Sequence, residues 1–194
     1  MNLHHCFKSM LVFGLLVFIN SFSYAQKGLF VKISLGPGMS TEYSHVRNNG
    51  FALLTKNHAI GWGITDNFAI QVGEFGGLIK QKVDEFNYIN IDPFGVGFCY
   101  KTPFNLKLSM MGAYGKVSLA RQWTEATGKK VAQGAGINIS VDKEWIFANH
   151  WAIRTGPQIY WFQAKSITPE GGAPYKFFTA SLNVGVVYYL SVLG

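Results

Sequence analysis

Apolar and polar residues alternate with a period of two along most of the chain. In residues 176–190, Phe178, Ala180, Leu182, Val184, Val186, Tyr188 and Leu190 fall on one side. Thr179, Ser181, Asn183, Gly185, Val187 and Tyr189 fall on the other. Residues 104–115, 133–142 and 151–162 repeat the pattern, with Leu106, Leu108 and Met110 set against Lys107 and Ser109 in the first of them. Such alternation belongs to strands with one apolar face, and no window carries the 3.6-residue period of an amphipathic helix. The chain reads as all-β. Eight strands are predicted, at roughly 28–37, 52–64, 68–79, 89–101, 104–116, 131–147, 151–164 and 175–191.

The connections alternate in length. Thr65-Asp66-Asn67, Thr102-Pro103 and Ala148-Asn149-His150 are short and carry turn-forming residues. The connections near 38–51, 80–88, 117–130 and 165–175 are longer and polar. Short turns at one end and long loops at the other characterise transmembrane barrels. Closure also removes the edges that strands this long and apolar would otherwise expose. Aromatic residues gather at the short-turn end: Trp62 and Phe68, then Phe98, Tyr100 and Phe104, then Trp145, Phe147 and Trp151, with Tyr188 near the chain end. That placement predicts a girdle of Trp62, Phe68, Tyr100, Phe104, Trp145, Trp151 and Tyr188 at a headgroup zone.

Composition narrows the picture. Charged residues make up 14% of the 194 and aromatics 15%. This excludes a disordered chain and leaves too little charge to solvate the exterior of a soluble barrel. The run Met10–Ile19, with Lys8 before it and Ser23-Tyr24-Ala25 after it, has the layout of a secretory signal peptide cleaved after Ala25. The expected organisation is a signal peptide at 1–25 and a barrel domain at 26–194. Cleavage removes Cys6 and leaves Cys99, so no disulfide is expected. The formal charge of +7 comes from scattered basic residues, which does not suggest nucleic acid.

With strands, turns and girdle in place, residues 28–191 resemble the small eight-stranded outer-membrane β-barrel proteins of Gram-negative bacteria, related in shape to OmpA, OmpX and OmpW. The resemblance rests on pattern rather than on a motif. It implies an antiparallel up-and-down transmembrane barrel in the outer membrane, expected to be monomeric and inserted by the barrel-assembly machinery. The ending Tyr188-Tyr189-Leu190-Ser191-Val192-Leu193-Gly194 departs from the terminal aromatic residue of many such barrels.

If the apolar face meets lipid, the inner face carries Lys32, Ser34, Gln71, Lys107, Asn138, Ser140, Asp142, Arg154, Gln158 and Asn183. An interior this narrow is filled by side chains, and buried charges must pair. A polar network joining Lys32, Lys107 and Arg154 to Glu74 and Asp142 is therefore expected. Glu74 shares phase with Ile70 and Val72, so its place inside requires a β-bulge near Gly76 and Gly77. Pro93 breaks phase and predicts a second bulge or a strand start.

His150 sits in a short turn, His45 in a long loop near Tyr43 and Glu42, and His58 on a strand with no adjacent Ser or carboxylate; no pair of His stands at metal spacing, and no G-x-S-x-G occurs. No catalytic residue, metal or cofactor is expected. The role anticipated is structural, surface-interacting or permeating for small solutes. Outer-membrane lipid and lipopolysaccharide are the expected partners, through Arg121, Lys129, Lys130 and Lys165. Two alternatives remain: a soluble lipocalin-like barrel holding an apolar ligand, and a lipid-modifying enzyme.

Overall fold

The computed structural model describes residues 27–43, 47–83, 86–122, 129–167 and 174–190. The proposed signal peptide, His45 and the terminal residues 191–194 lie outside them. The strands are β1 (Gly28–Tyr43), β2 (Arg47–Gly63), β3 (Phe68–Val83), β4 (Phe86–Lys101), β5 (Leu106–Ala120), β6 (Lys129–Ala148), β7 (Trp151–Ser166) and β8 (Tyr175–Tyr189). Each pairs antiparallel with its sequence neighbours, and β8 returns to β1, closing a barrel in simple chain order. The seam runs from Phe30↔Tyr189 to Glu42↔Phe177. Closure leaves no strand edge unpaired, which is what a sheet in lipid requires.

Local chemistry fixes the short turns. The Thr65 hydroxyl accepts from the backbone N–H groups of Asn67 and Phe68 at 3.3 and 3.0 Å. Thr102 closes the second turn: its carbonyl accepts from Asn105 N–H and its hydroxyl from Leu106 N–H. Asn105 takes φ 58°, a left-handed conformation that Asn tolerates better than most residues. This turn begins β5 at Leu106, so Phe104 lies in the turn instead of on the strand. At the third turn, the ring of His150 pairs with the Tyr189 carbonyl at 2.8 Å and packs on Tyr188.

At the other end several strands run further than their apolar pattern. β2 begins at Arg47, and β3 continues to Val83. Strands of 15 to 20 residues exceed the ~10 that cross a bilayer, so the walls stand above the lipid.

The outer wall is apolar. Ile33, Ile60, Ile70, Val72, Phe98 and Ile139 all face outward and exposed, and Phe94 and Val96 expose 63% and 65% of their surface. A water-soluble barrel with an apolar lumen and solvated exterior is incompatible with that belt.

Two expected irregularities fall elsewhere. Pro93 sits inside β4 in unbroken register, between Asp92↔Lys116 and Phe94↔Tyr114. Opposite it, Gly76 takes φ +129°, and β3–β4 pairing passes from Glu74↔Phe94 to Gly77↔Ile91 with no change of register. With no residue inserted, Glu74 keeps its outward phase. A register shift does occur between Ala52 and Leu54, and it leaves both Leu53 and Leu54 exposed.

The seam admits little bulk. A Cβ on Gly185 would press on the Ile33 carbonyl and on Ser34 of β1, whereas one on Gly112 would meet nothing within 4 Å. We expect Gly185→Val to cost about 1–3 kcal/mol, as overpacking does, and Gly112→Val to be neutral. The folded fraction, read as heat-modifiable mobility on a gel, distinguishes them.

Candidate functional site

The interior is built in layers. At the turn end, Phe30, Ala69, Cys99, Ala152, Val187 and Tyr189 pack together. Above them lies a band of charged and polar side chains. Above that, Phe75, Ile79, Ile89, Ile91, Met111, Tyr160, Phe162 and Phe177 form a second apolar layer, all fully buried or nearly so. Nearest the loops, Gln81 donates to Glu42 at 2.6 Å.

The polar band holds two ionic groups. Lys107 Nζ stands 2.7 Å from Glu144 Oε2 and donates to the Tyr189 hydroxyl at 2.5 Å. That hydroxyl donates to Glu144 Oε2 at 2.6 Å, closing a triangle. Arg154 pairs with Asp142, which also accepts from Ser140 Oγ at 2.8 Å. Lys107 and Asp142 face each other in register, yet each takes its charged partner elsewhere. Further up, Asn183 Nδ2 donates to Gln158 Oε1 at 2.6 Å, and the Thr55 hydroxyl lies 2.7 Å from Asn183 Oδ1. Lys32, at 1% exposure, donates to Gln71 Oε1 at 3.3 Å.

Of the five charged residues expected inside, Lys32, Lys107, Asp142 and Arg154 are buried there. Glu74 is not. It projects from the outer wall of β3 and pairs with Lys56 at 3.1 Å, and Lys56 also reaches Asp92 at 2.8 Å. The physical reason is the unbroken register at Gly76, which leaves no extra residue to rotate Glu74 inward. Its expected place opposite the cations is taken by Glu144, which follows Asp142 by two residues and so shares its face. That spacing was visible in the sequence. Tyr189 was also missed, hidden beside Tyr188; the two rings point to opposite sides of the wall.

The aromatic residues singled out at the turn end stand on or beside the outer wall. Trp62, Phe68, Tyr100, Phe104 and Trp151 are exposed, and Trp145 and Tyr188 are half-buried. Phe68 stacks on Phe98, and Trp151 packs on Tyr188 with centroids 4.7 Å apart. At the loop end, the exposed basic residues among those described include Lys80, Lys116, Arg121, Lys129, Lys130 and Lys165, with Lys176 partly covered. Lys116, Gln133 and Lys165 form one cross-strand row on the outer wall. Among the described residues, no group of three or more His, Cys, Asp or Glu is placed to hold a metal ion.

Solved structures share this architecture. Neisserial surface protein A matches with a TM-score of 0.53 at 13% identity, over 84% of this chain and 98% of that one. The outer membrane protein OprG from Pseudomonas aeruginosa matches with a TM-score of 0.46 at 10% identity, over 86% and 98%. No family profile and no curated relative matches the sequence. The fold is that of the small eight-stranded outer-membrane barrels of Gram-negative bacteria.

Breaking one ion pair should expose how much the interior depends on it. Removing one partner of a buried pair costs about 3–5 kcal/mol, because the other charge is stranded. Lys107→Met is expected to destabilise by that order, leaving Glu144 with only the Tyr189 hydroxyl. The double variant Lys107→Met/Glu144→Leu should recover most of the loss, as read by urea unfolding in lipid vesicles.

Proposed function

We propose that this chain is a non-conducting, non-catalytic outer-membrane barrel that acts through its outward rim. The observation that carries the reading is the upper apolar layer. Phe75, Phe162, Phe177, Tyr160 and their neighbours come from strands around the ring and meet in the lumen, fully buried. A hydrated path for ions needs polar walls or a wettable constriction, and a filled apolar layer offers neither. Beneath it Lys107 pairs with Glu144 and Arg154 with Asp142, which suits a structural plug.

With the lumen closed, what remains for recognition is the outside. The loops carry the acidic residues Asp84, Glu85, Glu125 and Glu170, so they are mixed in charge. The strand walls just below them carry mostly lysine, with Asp92 in register with Lys116. Lys80, Lys116, Lys165 and Lys176 occupy the outward face where the apolar belt ends. Lysines at that level suit the phosphates of lipopolysaccharide: the ammonium meets the anion while the side-chain stem stays on the apolar wall.

Two outcomes are expected. The refolded barrel should show no discrete conductance steps in a planar bilayer, and Phe75→Ala/Phe162→Ala/Phe177→Ala should introduce them. Steps from the unaltered chain would instead favour permeation. Separately, changing Lys80, Lys116, Lys165 and Lys176 to Gln should weaken binding to lipopolysaccharide-containing vesicles. The expected loss is about 1 kcal/mol, or roughly fivefold, for each charge removed. Binding to vesicles of uncharged lipid should stay the same.

A further inference from the structure

We infer that the sealed interior holds a small monovalent anion, of the halide class, against Lys32. The argument begins with charge. The buried cations on this part of the inner face are Lys32, Lys101, Lys107 and Arg154, and the carboxylates are Asp142 and Glu144. Glu144 pairs with Lys107 and Asp142 with Arg154. Among the described residues no carboxylate forms an ion pair with Lys32, whose ammonium meets only the Gln71 amide oxygen at 3.3 Å. The buried cations therefore outnumber the carboxylates, and Lys32 has no charged partner among the described residues. Lys32 is 1% exposed, with Phe30 and Tyr189 in the apolar layer at the turn end and Phe75, Met111, Tyr160 and Phe162 in the one nearer the loops. Bulk counterions do not reach it, and a buried charge without a partner is strongly disfavoured.

Hydrogen bonding gives the second, independent observation. Gln71 Nε2 and Arg154 Nε, both fully buried donors, have no acceptor, and neither does the hydroxyl of Ser109. Lys32 already holds Gln71 by its oxygen, so the unmet Nε2 of that amide lies beside the ammonium. An uncharged Lys32 amine has one lone pair and would meet one of these three donors, leaving the other two. Water could meet them but would not neutralise the ammonium. An anion beside Lys32 Nζ and Gln71 Nε2 neutralises the ammonium and accepts from the amide. Asn57 Oδ1 and Asn138 Oδ1 are unmet acceptors in the same band, so the anion shares the space with water that donates to them. Between apolar layers the anion exchanges only when the barrel opens, and it is captured as the barrel closes.

This inference relies on the closed lumen but not on the rim lysines. Conductance is measured separately, so failure of one reading is distinguishable from failure of the other. The test uses the full barrel refolded and crystallised in sodium bromide, compared with sodium sulfate at equal ionic strength. Bromide should give an anomalous peak within hydrogen-bonding distance of Lys32 Nζ and Gln71 Nε2. Above its dissociation constant, each tenfold rise in bromide should lower the unfolding equilibrium constant about tenfold. Gln71→Glu places a carboxylate beside Lys32. It should fold in either salt, lose the peak and lose the bromide dependence. Lys32→Met should lose both as well, and Gln71→Glu carries the test if Lys32→Met does not fold. Identical unfolding in bromide and sulfate with no peak would overturn the inference, as would a peak that survives in Gln71→Glu.

Discussion

Closure of eight strands into one hydrogen-bonded ring is the constraint on which the rest of the structure depends. Within lipid, a backbone N–H or C=O has no water to turn to, so the first strand must find the last. The seam from Phe30↔Tyr189 to Glu42↔Phe177 does this. Once it forms, every residue is assigned to lipid or lumen by its parity. The lumen of an eight-stranded ring is just wide enough for side chains to fill. The interior is therefore a core to be packed, and its composition decides whether anything passes through.

That core is packed in layers because polar groups are tolerable there only where they find partners. Lys107, Glu144 and Tyr189 satisfy one another, as do Arg154, Asp142 and Ser140. Apolar side chains lie in the layers to either side. Placing the ionic groups in one band lets long side chains reach across the lumen to non-neighbouring strands. Lys107 of β5 shows this by reaching the Tyr189 hydroxyl of β8. The outer wall follows the same rule. Lys56, Glu74 and Asp92 come from three adjacent strands, and Lys56 bridges the two carboxylates where single charges would meet lipid.

Most of the fold was legible because parity is local. Alternation, short turns against long loops, and aromatics beside the turns each require only neighbouring residues. The interior was legible residue by residue but not as a set of contacts. Level inside a tilted barrel depends on stagger, which no single strand encodes. Glu74 was misplaced because the run Gly73-Glu74-Phe75-Gly76-Gly77 reads like a bulge, whereas the backbone absorbs Pro93 by the unusual φ of Gly76. The upper apolar layer was missed for another reason. Phe177-Phe178 and Trp161-Phe162 place one ring in the lumen and one in the belt. Adjacent apolar residues blur alternation, and the inward member passes for part of the belt.

The buried charges also answer a problem that apolar layers leave open. A slip of one residue between two strands exchanges lumen and lipid faces throughout the slipped strand. Where both faces are apolar, as around Trp161 and Phe162, such a slip changes little in burial. Where the face carries Lys107, Asp142, Glu144 or Arg154, it would drive ionised groups into hydrocarbon and separate each from its partner. Pairing in such a core adds little net stability over apolar packing of the same volume. Its contribution lies in the register it penalises losing. On this argument the ionic band is what makes one pairing of the eight strands the lowest in energy, and the apolar layers then fill the barrel that this pairing defines.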